Sequence, residues 1–92
     1  MISGMVAPCG TVIAGEGFDV VQYGPGIYRV HFLEPIEPGQ VPVATIYGGA
    51  GRGEWETFDK SIAIVDFGPG DMTLITSDPN RPVECGFTFM VA

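Results

Sequence analysis

Positive charge is what this sequence has least of. Its 92 residues carry four Lys and Arg against eleven Asp and Glu, a net charge of −7. A nucleic-acid surface works by displacing counterions with clustered cations, and four scattered ones exclude that class. The same deficit sets the chain against an anionic membrane surface. Histidine is scarcer still, with one residue, and the two cysteines, Cys9 and Cys85, lie far apart, so no zinc-ligand spacing is present. No apolar run is long enough to span a membrane. The apolar stretch from Met1 to Ala14 lacks a basic start and contains Pro8, so it reads as the first strand and not as a signal peptide. Charge of either sign is sparse at 16%, whereas apolar residues reach 46%, a balance that excludes a disordered chain.

What the sequence has in quantity is punctuation. Fourteen glycines and eight prolines leave little room for helices of ordinary length. Between them, apolar residues alternate. Gly17 to Tyr23 and Ile27 to Leu33 flank a Gly24-Pro25-Gly26 turn and form the clearest hairpin, with Phe18, Val20, Tyr28, Val30 and Phe32 on one face. Val41 to Tyr47 reads as a strand apolar on both faces, with Pro42 placing its start at a sheet edge. Ser61 to Phe67 and Asp71 to Ser77 follow around Gly68-Pro69-Gly70, the second with Met72, Leu74 and Thr76 aligned. Val83 to Val91 closes the chain with Val83, Cys85, Phe87, Phe89 and Val91 in phase. The expectation is one all-β domain over residues 1–92, a small antiparallel β-sandwich, jelly-roll-like, of about seven strands. A single helical turn is conceivable only at Glu54 to Lys60.

Each group capable of chemistry also has a simpler duty. His31 sits mid-strand between Val30 and Phe32, and none of Ser3, Ser61 or Ser77 lies in a nucleophile-type turn, so no catalytic residue is assigned. Asp78 and Asn80 lack the rest of a calcium loop and fit an Asx turn before Pro79, so no metal or other cofactor is assigned either. Gly49-Ala50-Gly51-Arg52-Gly53 lies between strands and does not open a helix as a phosphate loop must. Cys9 and Cys85 fall in the first and last strands. They either form a disulfide closing a long loop, contributing about 4 kcal/mol, or remain buried thiols, and the phase of Cys85 with Phe87 and Phe89 favours burial. Glu54 and Glu56 flank Trp55, with Asp59 beyond. An aromatic platform beside carboxylates suits a sugar or a cation, and a tryptophan plugging the end of a sandwich is the alternative.

The surplus of apolar residues is the most informative feature. The second face of the hairpin carries Val21, Tyr23, Ile27 and Leu33, with Arg29 and His31 among them, where a solitary sandwich shows a polar face. These six residues are the expected interface of a homo-oligomer.

An ordered series of turns and core positions runs through the chain: Gly10-Thr11-Val12, Gly15-Glu16-Gly17-Phe18-Asp19-Val20, Gly24-x-Gly26-Ile27-Tyr28-x-Val30-x-Phe32, Pro35, Val41-x-Val43-x-Thr45, and Cys85-Gly86-Phe87-Thr88-Phe89. It resembles the β-sandwich modules at the C-terminal ends of phage tail fibres and of related bacterial collagen-like and surface proteins. Its last third is also similar, less closely, to H-type lectin domains. The resemblance covers nearly the whole chain and implies a non-enzymatic binding or structural module, commonly trimeric. It would act on a virion or outside the cell and recognise a cell-surface glycan or protein. The shared positions are structural and bring no binding residue with them. The ligand residues expected here come instead from the loop after the Val41 strand: Tyr47, Arg52, Glu54, Trp55, Glu56 and Asp59. The acidic balance supports an alternative, a free-standing phage- or mobile-element-encoded protein that inhibits a host protein in the cytoplasm by covering its basic surface.

Overall fold

The computed structural model describes residues 2–47 and 59–92. Among the described residues eight strands follow one another: β1 (Ile2–Val6), β2 (Val12–Gly15), β3 (Phe18–Gly24), β4 (Ile27–Phe32), β5 (Pro42–Tyr47), β6 (Ser61–Phe67), β7 (Asp71–Ser77) and β8 (Gly86–Val91). They form two four-stranded antiparallel sheets, ordered β2-β1-β8-β5 and β3-β4-β7-β6. The all-β sandwich expected from alternation is thus the fold, with eight strands in place of seven. The extra strand arises because the first apolar stretch breaks at a turn, where the Gly10 amide donates to the Ala7 carbonyl and the Ala7 amide to the Thr11 carbonyl.

The hairpin of β3 and β4 has the expected facing, Phe18 opposite Phe32 and Val20 opposite Val30. Their inner side chains meet Met72 and Leu74 of β7 and, from the other sheet, Val6, Phe87, Phe89 and Val91. Each such side chain, once fully buried, contributes about 1.5–3 kcal/mol relative to exposure. Two ring pairs tie the sheets together: Phe18 meets Phe89 edge to face at 4.8 Å, and Tyr28 meets Phe87 at 5.1 Å. The first pair needs Gly4. A Cβ there would collide with the Phe18 ring and come within 2.8 Å of the Phe89 ring, so a glycine in β1 makes the space that the two aromatics share.

The last strand begins at Gly86, three residues later than the alternation suggested. Val83 is occupied otherwise: its amide donates to the Thr76 carbonyl (3.1 Å) and its carbonyl accepts the Thr76 hydroxyl (2.6 Å). This satisfies the one fully buried polar side chain among the described residues. Gly26 completes the knot. Its carbonyl accepts the Thr76 amide at 2.8 Å, its φ is +78°, and a Cβ there would meet the backbone of Thr76 and Val83.

The cysteines differ from expectation in that neither lies in a strand. Cys85 is buried in the core, but Cys9 is exposed in the turn after β1, and both thiols are free. Cys9 follows β1 and Cys85 precedes β8, so both sit outside the β1–β8 ladder, although those two strands are neighbours as expected.

Candidate functional site

The outer faces of the two sheets differ in chemistry. On the β3-β4-β7-β6 sheet, Asp19, His31 and Asp71 stand in register across three strands, and Val21, Arg29 and Thr73 form the next row. The Arg29 guanidinium lies over the Tyr23 ring, 5.1 Å from its centroid, a cation–π contact on the sheet surface. Its Nε is buried, with no hydrogen-bond partner among the described residues. The six residues expected at an interface do share this outer side. Val21, Tyr23 and Leu33 are exposed, Leu33 by 63%, while Ile27, Arg29 and His31 are half-buried by their neighbours.

Serine does not join His31. Ser77 and Ser61 share a hydrogen bond at 3.0 Å at the far end of β7, whereas His31 pairs with Asp71 at its start. Six residues of strand separate the two rows by about 20 Å. Ser3 belongs to the other sheet.

The outer side of the β2-β1-β8-β5 sheet carries no Asp, Glu, Lys, Arg or His. Ser3, Met90 and Val43 form one row and Met5, Thr88 and Thr45 another. Val43 is 53% exposed, and Val41 just before the strand is 61% exposed. Between β5 and β8 runs an open groove of about 250 Å³, lined by Val43, Ala44, Thr45, Thr88, Phe89 and Met90. Sequence reading noted both apolar faces of β5 but placed the interface on the other sheet. Which strands share a face depends on long-range pairing order, so local alternation carries no signal for it.

Of the expected ligand residues, Tyr47 ends β5, half-buried and in register with Gly86. Asp59 is exposed and accepts an ion pair from Lys60 at 2.6 Å. Arg52, Glu54, Trp55 and Glu56 lie outside the described residues, as does most of the segment where a helical turn was conceivable.

Two further groups have shifted pKa values. Burial pushes the Tyr28 phenol up to about 12, with the nearby Glu84 charge acting in the same direction. Its hydroxyl donates to the Pro8 carbonyl at 2.5 Å. The Asp78 carboxylate forms the expected Asx turn, accepting the amides of Asn80 (2.8 Å) and Arg81 (2.9 Å), and these hold its pKa below the usual value. No family model, curated protein or solved structure matches the chain.

Proposed function

We propose that this protein is a non-enzymatic binding or structural module that works as a homo-oligomer. One observation carries the reading: large apolar side chains stand exposed on both sheets, Val41, Val43 and Met90 on one and Val21, Tyr23 and Val65 on the other. Antiparallel sheets ordinarily turn a polar face to water, and contiguous apolar surface on a small domain marks a place of contact. Three copies is the number that the likeness to fibre-tip modules favours. A cell-surface glycan or protein is the ligand class that likeness implies, with Tyr47, Arg52, Glu54, Trp55, Glu56 and Asp59 as the contact residues. The alternative, capture of a basic host protein, draws on the net charge of −7.

Binding of the intact protein to a glycan array and to host cells, compared with Trp55→Ala, tests the ligand reading. The expected result is loss of binding with a nearly unchanged melting temperature. A large loss of stability would assign Trp55 to the core and refute it. Sedimentation of the intact protein tests self-association. A lone 9.8 kDa species at every concentration would refute that part.

A further inference from the structure

Four strands form the sheet edges: β2 and β5 in one sheet, β3 and β6 in the other. Three of them are bulged. The pairing of β1 with β2 skips Ile13, that of β3 with β4 skips Tyr23, and that of β6 with β7 skips Val65. Each extra residue stands exposed, at 48%, 59% and 53%. A bulge twists an edge away from flat pairing and is a standard protection against unwanted strand addition, as is a charge on the edge. The β3 and β6 edges add Asp19 and Asp66 to their bulges.

The β5 edge has neither device. Its ladder with β8 runs through six consecutive pairs without a shift, and Val41 to Tyr47 contains no charged residue. The groups it turns away from β8 follow from the ladder. Val41 and Ala92 exchange both backbone bonds, at 2.8 and 3.0 Å. Antiparallel pairs alternate, so Val43, Thr45 and Tyr47 also bond inward to β8, while Pro42, Ala44 and Ile46 turn their backbone groups outward. Pro42 has no amide to offer and ends the usable edge there. Among the described residues no strand lies beyond Ala44 and Ile46.

We propose that this edge pairs with the same edge of a second copy, antiparallel about a twofold axis, joining the two β2-β1-β8-β5 sheets into one sheet of eight strands. This rests on the self-association reading above, names its contact, and sets the number of copies at two where the likeness to fibre-tip modules favours three. The strand is self-complementary. With Ala44 opposite Ile46 of the second copy, both residues exchange amide and carbonyl bonds, giving four hydrogen bonds and leaving none of their outward groups unpaired. Thr45 then faces its own equivalent, and Val43 faces Tyr47. Two strongly acidic molecules meet where neither carries charge, so no like charges fall directly opposite. The bulges on the other three edges restrict such pairing to β5. An isologous contact of this kind closes on two copies, not three.

The test is sedimentation velocity of the intact protein from micromolar to millimolar concentration, with Ala44→Pro, Thr45→Lys and Thr45→Glu alongside. Ala44→Pro deletes the outward amide but also enlarges a side chain packed against the core, so the exposed Thr45 variants carry the test independently of it. Thr45→Lys and Thr45→Glu each place like charges opposite each other on an exposed position. The expected result is a species of twice 9.8 kDa for the unaltered chain, weakened at least about tenfold in each variant, and restored when the Lys and Glu variants are mixed. Circular dichroism confirms that the variants are folded. If the unaltered chain associates and the variants associate equally well, edge pairing is overturned while self-association stands. If the unaltered chain stays at 9.8 kDa throughout, both are overturned.

Discussion

Alkaline pH should loosen this protein through one tyrosine. Tyr28 is fully buried, packs against Phe87, and donates its hydroxyl to the Pro8 carbonyl. Its phenol titrates near 12 in the folded protein, against about 10 when unfolded. A raised pKa means that the folded state prefers the protonated phenol. The resulting stability is therefore complete below pH 10 and is lost as pH rises toward 12. Two pH units correspond to about 2.7 kcal/mol at most. The hydroxyl is only part-buried where it meets the Pro8 turn, and screening there reduces the expected loss to about 1–2 kcal/mol. Tyr28→Phe removes the titration and leaves the Pro8 carbonyl without its donor, at a cost of about 1–2 kcal/mol near neutral pH. Urea unfolding of both proteins at pH 7, 9, 10 and 11.5 separates the two effects. The gap between them should be constant up to about pH 9 and then narrow, because only the unaltered protein has this phenol to ionise. A gap that stays constant to pH 11.5 would refute the assignment of the alkaline loss to Tyr28.

Other expectations follow from the same contacts. Gly26→Ala must place a Cβ against the backbone of Thr76 and Val83 at positive φ; a loss of about 2–4 kcal/mol is expected, and an unchanged melting curve would contradict the described turn. Phe89→Ala removes the edge-to-face partner of Phe18 and should cost about 3–5 kcal/mol in urea unfolding. Cys9 is exposed, its thiol pKa lowered by the hydrogen bond with Thr11, while Cys85 is buried. Iodoacetamide should add one group to the native protein and a second only in denaturant, as read by mass spectrometry; two groups added at equal rates would refute the burial of Cys85.

The strands that could be read from sequence are those whose two faces differ. In β4 and β7 every second residue is buried, and the alternation of Tyr28, Val30, Phe32 and of Met72, Leu74, Thr76 registers that burial directly. The division between β1 and β2 was not legible because all four residues of β2 are exposed, so burial imposes no pattern on them. The start of β8 was misplaced for a different reason. Val83 keeps the phase of Cys85 and Phe87, but its backbone is engaged by Thr76, a contact seven residues away that periodicity does not encode. The candidate interface was legible only in part. Apolar excess on the outer positions of β3 and β5 was visible, but their assignment to different sheets follows from pairings that join distant parts of the chain. The bulges at Ile13, Tyr23 and Val65 likewise break alternation by one residue and look like ordinary irregularity until the partner strand is known.

The place of β8 has a consequence for how the molecule is made. The last of the eight described strands to be synthesised, β8, lies in the middle of its sheet, bonded on one side to β1 and on the other to β5. Until Gly86 to Val91 emerge, those two strands have no shared partner, and Val6 and Ala44 have no Phe87 and Phe89 to pack against. The β3-β4 hairpin, by contrast, pairs strands separated by a short turn and can close as soon as both have been synthesised. Assembly is therefore ordered by topology: one sheet can begin before β8 is made, while the other waits for β8 and carries the slow, long-range step. In that interval the uncharged edge of β5 is open on both sides, so chaperone demand and the risk of mispairing should be concentrated in the time between translation of Tyr47 and arrival of Gly86.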